Sequence, residues 1–155
     1  MGDLKGPYLF DVGVIALAHT AAPVRDAALS YVRDAIAGDI DVVVPYPALF
    51  GAHTVLTTHY GRSNADASRL LLNFMDAQRI HWHGGLSEDG VRGGLSRASG
   101  ANVSGWDGHY AQVAIDEGVN TVLTIDDDFE RFDVFDTEVI LSPEEFSDLN
   151  RFLGH

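Results

Sequence analysis

The chain contains no cysteine, a single lysine and few glutamates. Without cysteine there is no disulfide scaffold, no thiolate zinc site and no cysteine nucleophile. With Lys5 the only lysine and arginines few, no basic patch of the kind that tracks a nucleic-acid backbone or an anionic membrane surface stands out. No apolar run reaches the roughly 18 residues of a membrane span. The apolar stretch at 8–18 is broken by Asp11 and has no basic segment before it, so it does not read as a targeting leader. Serines occur in no G-x-S-x-G context, and Gly93-Gly94 is not followed by the Gly-Lys-Ser/Thr of a phosphate loop. These absences point to a soluble, cytoplasmic protein with no membrane association.

What is present is acid. The formal net charge is −13, and aspartate dominates the acidic residues. A large acidic excess keeps a surface hydrated and self-repelling, a lever that halophiles use. Losing lysine removes long apolar stems, while arginine keeps bidentate pairing. The composition reads as that of a salt-adapted protein. Hydrophobic residues make up 46% of the 155 positions and charged residues 21%, which excludes disorder and fits one globular domain over 1–155.

Short apolar runs alternate with helical spacing. Tyr8-Leu9-Phe10 reads as a buried strand that ends at Asp11. Residues 41–44, 79–83, 121–124 and 138–141 read as further strands. Helices are expected over 12–19, 22–37, 47–60, 66–77, 87–98 and 105–117. The helix at 87–98 is the weakest, because Gly90, Gly93 and Gly94 each cost about 1 kcal/mol against alanine. Ser142-Pro143-Glu144-Glu145 opens a last helix, with serine as cap and glutamate three residues on. Helices separating strands predict an α/β sandwich around a mainly parallel sheet.

In such sheets ligands sit outside the carboxyl ends of the strands. Two predicted strands end in acid there, at Asp11 and at Asp126-Asp127-Asp128, and Asp107 opens the helix that leads into the second. Carboxylates that converge raise one another's pKa unless a cation joins them. Hard oxygen ligands suit Mg²⁺ or Mn²⁺. Asp is also common at strand ends and helix caps for local reasons, and a chain this rich in Asp places some there by chance.

The sequence resembles the PIN domain family, in particular its short toxin nucleases. Tyr8-Leu9-Phe10-Asp11-Val12-Gly13-Val14-Ile15 is similar to the opening strand, first acid and apolar turn of that family. Val122-Leu123-Thr124-Ile125-Asp126-Asp127-Asp128-Phe129 is similar to its last acidic motif. Trp106-Asp107-Gly108-His109-Tyr110-Ala111 resembles its third-acid helix, and Leu141-Ser142-Pro143-Glu144-Glu145-Phe146 its closing segment. The resemblance implies a three-layer α/β/α sandwich and a Mg²⁺ (or Mn²⁺)-dependent ribonuclease. Asp11, Asp107 and Asp126 would bind the metal, Asp128 would be a supporting acid, and Thr124 would orient a carboxylate. It also implies an RNA substrate, a cognate antitoxin and a homodimer formed through 47–60 and 66–77, a region that reads equally well as a second core layer.

One position departs from the pattern. Gly51 falls where the family carries a glutamate, and no acid lies between Asp41 and Asp66. His53 is two residues away and would serve only with the helix rotated. Two readings therefore stand: an active nuclease, and a PIN-like fold retained for partner binding. A receiver-like phosphoacceptor domain would need a lysine beside the acids, and only Lys5 is available. Arg92 and Arg97, in a glycine-rich stretch, are candidate phosphate contacts, with a plain surface segment as the alternative. His81 and His83 share a strand face, but no third ligand is near in sequence. Phe10, Phe50, Leu71 and Phe74 read as core.

Overall fold

The computed structural model describes residues 6–154, so Lys5 lies outside the described residues. Strand β1 (Tyr8–Phe10) leads through Asp11 into α1 (Val12–Ala18), and α2 (Arg25–Ala37) returns the chain to β2 (Val42–Pro45). Helices α3 (Pro47–Thr58) and α4 (Asn64–Met75) precede β3 (His81–His83). Helices α5 (Glu88–Ala101) and α6 (Gly105–Asp116) precede β4 (Thr121–Thr124). A 3-10 turn (Asp128–Arg131), β5 (Asp136–Val139) and α7 (Pro143–Leu153) complete the order.

The five strands form one sheet in the order β3-β2-β1-β4-β5, and every pairing is parallel. Every residue of β2 and of β4 is buried. Successive side chains of a strand point to opposite faces, so helices must cover both. The fold is thus the expected three-layer α/β sandwich, with a sheet parallel throughout. Leu9, Phe10, Ile15, Leu17, Leu56, Leu123 and Phe129 are completely buried at its centre.

The strand order fixes where a site can form. From β1 the chain goes to β2 on one side and later to β4 on the other. The order reverses at β1, and a crevice opens beyond the carboxyl ends of β1 and β4. The register pairs Leu9 with Val122 and Phe10 with Leu123, which sets Asp11 beside Thr124.

Helix α6 is held by an unusual contact. A Cβ on Gly108 would stand 2.2 Å from the carbonyl oxygen of Gly94 and 2.7 Å from Cβ of Ala98. A Cβ on Gly94 would stand 3.1 Å from Cα of His109. Gly94 on α5, unfavourable for an isolated helix, and Gly108 on α6 are what let the two helices touch backbone to backbone. Tertiary packing outweighs their propensity cost, and α5 runs on to Ala101, past the expected stop at 98.

Three other expectations shift. Strand β5 begins at Asp136, two residues before the apolar run suggested, because the edge strand takes its register from β4, with Thr121 opposite Asp136. Ser63 caps α4, which starts at Asn64. Phe50 is not core: it is 77% exposed, while Phe10, Leu71 and Phe74 are buried. On α3 the inward positions are Ala48, Leu49, Ala52 and Leu56, which form one stripe, and Phe50 falls outside it on the opposite side of the helix.

Candidate active site

Asp11 is the first residue past β1 and caps α1. Its Oδ1 accepts a hydrogen bond from the backbone N–H of Val12 at 2.7 Å, and its Oδ2 accepts one from the Thr124 hydroxyl at 3.0 Å. Its own N–H continues the sheet ladder to the Leu123 carbonyl at 3.0 Å. Asp11 as a whole is 7% exposed, so backbone and packing fix the direction of its side chain.

Asp126 emerges two residues past β4. Its N–H reaches the Thr124 hydroxyl oxygen at 3.3 Å, and its Oδ1 accepts from the Asp128 N–H at 3.0 Å. That local turn leads into the 3-10 turn, which is anchored by the fully buried Phe129. Thr124 thus links the first and last acids through one hydroxyl. Asp107 comes from a third segment, in the first turn of α6. The Ser104 side chain accepts its N–H at 3.1 Å and caps that helix.

The three acids act on one another electrostatically. Burial pushes the Asp11 carboxyl up to about 7, and the charges of Asp107 and Asp126 add to the rise. Burial, with Asp126 and Asp128, pushes Asp107 up to about 6. Asp126 is raised as well, first by burial; the Asp128 N–H offsets part of this, and the charges of Asp128 and Asp127 add to it. No cationic side chain is among these influences. With Asp11 at about 7, a like-charged set of this kind is not fully ionised at neutral pH unless a cation joins it.

Among the described residues, no three His, Asp or Glu side chains close into a ready-made metal shell. Asp11 and Asp107 line one open crevice instead, and Asp126 lies near enough for its charge to raise both. This donor set fits Mg²⁺ or Mn²⁺ better than a metal that needs a closed protein cage. Mg²⁺ keeps several waters and takes only one or two carboxylates from the protein.

Beside Asp11 and Asp107 lies a cavity of about 300 Å³, whose walls include Phe50, Gly51, Trp106 and Tyr110. Gly51 is tightly seated: a Cβ there would stand 2.9 Å from Val12 Cγ2 and 3.3 Å from the Tyr110 hydroxyl. The ring of Tyr110 is buried, and its hydroxyl has no partner among the described residues. A buried donor in that state costs about 1–3 kcal/mol. Trp106 stacks on Tyr110 with ring centroids 6.0 Å apart and is itself 55% exposed. His53 does not stand in for an acid. Its Nε2 faces the Asn64 carbonyl at 3.3 Å and the Ser68 hydroxyl at 3.2 Å, toward α4.

The candidate phosphate contacts have other partners. Arg92 pairs with Glu88 at 2.8 Å, and Arg97 donates to the Gln112 side-chain oxygen at 2.8 Å. Sequence reasoning also left His81 and His83 without a third group. Glu117, at the end of α6, supplies it: its Oε2 lies 3.1 Å from His81 Nε2 and 2.5 Å from His83 Nδ1. Chain distance hides that pairing. Trp106 and Tyr110 could have been singled out as two aromatic residues flanking Asp107 at the start of a helix.

No protein-family model matches the sequence, and no curated protein matches it. Solved structures do. The Mycobacterium tuberculosis toxin VapC20, a sarcin-ricin loop cleaving toxin, superposes with a TM-score of 0.62 at 16% identity, over 79% of this chain and 92% of that one. FitAcB from Neisseria gonorrhoeae gives 0.57 at 17% identity, over 85% and 97%. PAE2754 from Pyrobaculum aerophilum gives 0.55 at 19% identity, over 97% and 96%. At these identities the likeness establishes the fold: an α/β fold of the PIN-domain type.

Proposed function

We propose that this chain is a Mg²⁺- or Mn²⁺-dependent endoribonuclease and the toxin of a toxin–antitoxin pair. The observation that carries the reading is the convergence of Asp11, Asp107 and Asp126, from three separate segments, at the switch point of the sheet, with burial and mutual repulsion raising all three. Asp11, Asp107 and Asp126 would hold the cation, which supplies charge neutralisation and Lewis acidity at a phosphodiester when bound.

The chain's own residues do the positioning. The Val12 N–H and the Thr124 hydroxyl fix both oxygens of Asp11, so its lone pairs do not wander. The Asp128 N–H fixes one oxygen of Asp126, and the Asp128 side chain, close enough to raise Asp107, would be a supporting acid. The Ser104 cap and the α5–α6 glycine contact hold Asp107. Gly51 brings no carboxylate to the opposite wall, which supports a single-cation arrangement over a paired one.

VapC20 is described as a toxin, and a cognate antitoxin is the partner we propose here by analogy. The apolar groove between α3 and α4, where Leu72 and Met75 are exposed, is the face proposed for a homodimer. The acidic composition supports a salt-adapted cytoplasmic setting. No helix among the described residues is long and apolar enough to cross a membrane. The specific observation on the side of the rival reading, a partner-binding module without turnover, is Gly51.

The test is cleavage of mixed structured RNAs in high KCl, with and without Mn²⁺, beside an Asp126→Asn control. Metal-dependent cleavage lost in the variant supports the nuclease. Inert wild type, shown folded by circular dichroism, moves the conclusion to the partner-binding module.

A further inference from the structure

The cavity beside the acids has a chemistry of its own. Trp106 is 55% exposed and Phe50 77% exposed, and both line it together with Asp11 and Asp107. Phe50 also lines the α3–α4 groove proposed for a homodimer, so Trp106 is the large aromatic face that this charged crevice alone presents to water. Behind it, the Tyr110 hydroxyl is a buried donor with no partner among the described residues. It faces Gly51, where a single added carbon would stand 3.3 Å away. A side chain at 51 would crowd that donor.

Charge narrows the choice of occupant. No lysine or arginine is among the described residues lining this cavity, and Arg92 and Arg97 are engaged elsewhere. No side chain lining this cavity can hold a strand by ionic contact to its phosphates, and the net charge of −13 adds no attraction from the rest of the protein. Stacking of bases on aromatic rings is the remaining strong contact, and it works without regard to sequence because every base has a flat face.

We propose that the Phe50–Trp106 cavity is a nucleobase site: an unpaired base of the RNA strand stacks on Trp106, Phe50 flanks it, and the Tyr110 hydroxyl donates to the base edge. This rests on the nuclease reading for the identity of the strand, and it makes the substrate single-stranded at that position. A paired base cannot enter, since its face and edge are already covered.

The experiment uses the full chain carrying Asp126→Asn, so that the strand is not cut. Binding of a fluorescently labelled, unstructured RNA oligonucleotide is followed by anisotropy in KCl, beside the same sequence annealed to its complement. The single strand should bind more tightly than the duplex. Trp106→Ala should weaken it about tenfold, Trp106→Phe less than about threefold, and Tyr110→Phe a few-fold. Affinity should fall with salt by less than one phosphate contact's worth. Trp106→Leu keeps apolar volume without a ring face, and it replaces Trp106→Ala should that variant not fold.

Equal binding by Trp106→Ala, Trp106→Leu and the parent would overturn the site. So would preference for the duplex, a salt slope of several phosphates, or no binding by the parent. A Phe50→Ala variant that changes the sedimenting species and leaves RNA affinity intact would assign Phe50 to a protein interface and remove it from the site. Wild-type cleavage that depends on metal while kcat/KM is unchanged by Trp106→Ala sinks the base site and leaves the nuclease. Trp106-dependent binding without cleavage does the reverse.

Discussion

Two clusters of ionisable side chains lie on this fold, and they are built on opposite principles. On the edge strand, His81 and His83 converge on one oxygen of Glu117, and the pair of hydrogen bonds holds that carboxyl below its ordinary range. This cluster satisfies itself. At the sheet's switch point, Asp11, Asp107 and Asp126 meet with no cation among them, and all three are pushed up. Here no cationic side chain offsets the repulsion, and a bound cation is the partner proposed for it. A self-paired group adds stability where it stands; a set that costs stability and is nevertheless held by side-chain hydrogen bonds, a helix cap and a glycine-mediated helix contact is what the metal-site proposal rests on.

Substitutions should separate the two clusters sharply. The largest effect is expected at the acids: Asp11→Asn or Asp126→Asn should lower metal-dependent RNA cleavage at least about 100-fold in single-turnover assays, whereas Glu117→Gln should leave it within about twofold. Next, Thr124→Val removes the hydroxyl that bridges Asp11 and Asp126 and should cost about 10- to 100-fold in activity or metal affinity. Its midpoint in Mn²⁺ titrations should move, while a purely structural effect would lower only the amount of folded protein.

Stability should change in the opposite sense. A carboxyl raised from 3.8 to about 7 makes the folded state bind more protons than the unfolded one between those values. Folding stability without metal should therefore be fullest near pH 4 as far as Asp11 is concerned, and be lost as pH rises through about 7. Asp11→Asn removes that loss and should stabilise the metal-free protein at pH 8 by about 1–3 kcal/mol, read by urea denaturation. A variant that is inactive yet more stable is the expected signature. The smallest effect belongs to Glu117, a lowered and partly exposed carboxyl whose contribution is present above its ordinary pKa and lost as pH falls below it. Glu117→Gln should cost under about 1 kcal/mol at pH 7.

How much of this the sequence carried differs between the same two regions. Asp11 and Asp126 were legible because each follows a short apolar strand, and parallel strands deliver their ends to one rim. Asp107 was legible from its helix start and its resemblance to the third acid of the PIN family. The Thr124 bridge follows from the register of β1 and β4, which places residue 124 beside residue 11. Glu117 was not legible, because the contact joins residues 34 and 36 positions apart across helices whose crossing depends on Gly94 and Gly108. Those glycines read locally as weak helix, since propensity counts their cost and not the approach they allow. Phe50 read as core from its apolar side chain alone, although the spacing of Leu49, Ala52 and Leu56 leaves it off the inward stripe. The polar start of β5 hid for the opposite reason: an edge strand needs pairing, not burial.

The most direct measurement of the central claim is calorimetric titration of the folded protein with Mn²⁺ at pH 6.5, in two buffers of different ionisation heat. Wild type should bind the cation and release protons, because carboxyls raised to about 7 and about 6 must ionise to take it. Asp11→Asn should bind weakly and release fewer. No binding by wild type, or binding without proton release that survives Asp11→Asn, would contradict the account.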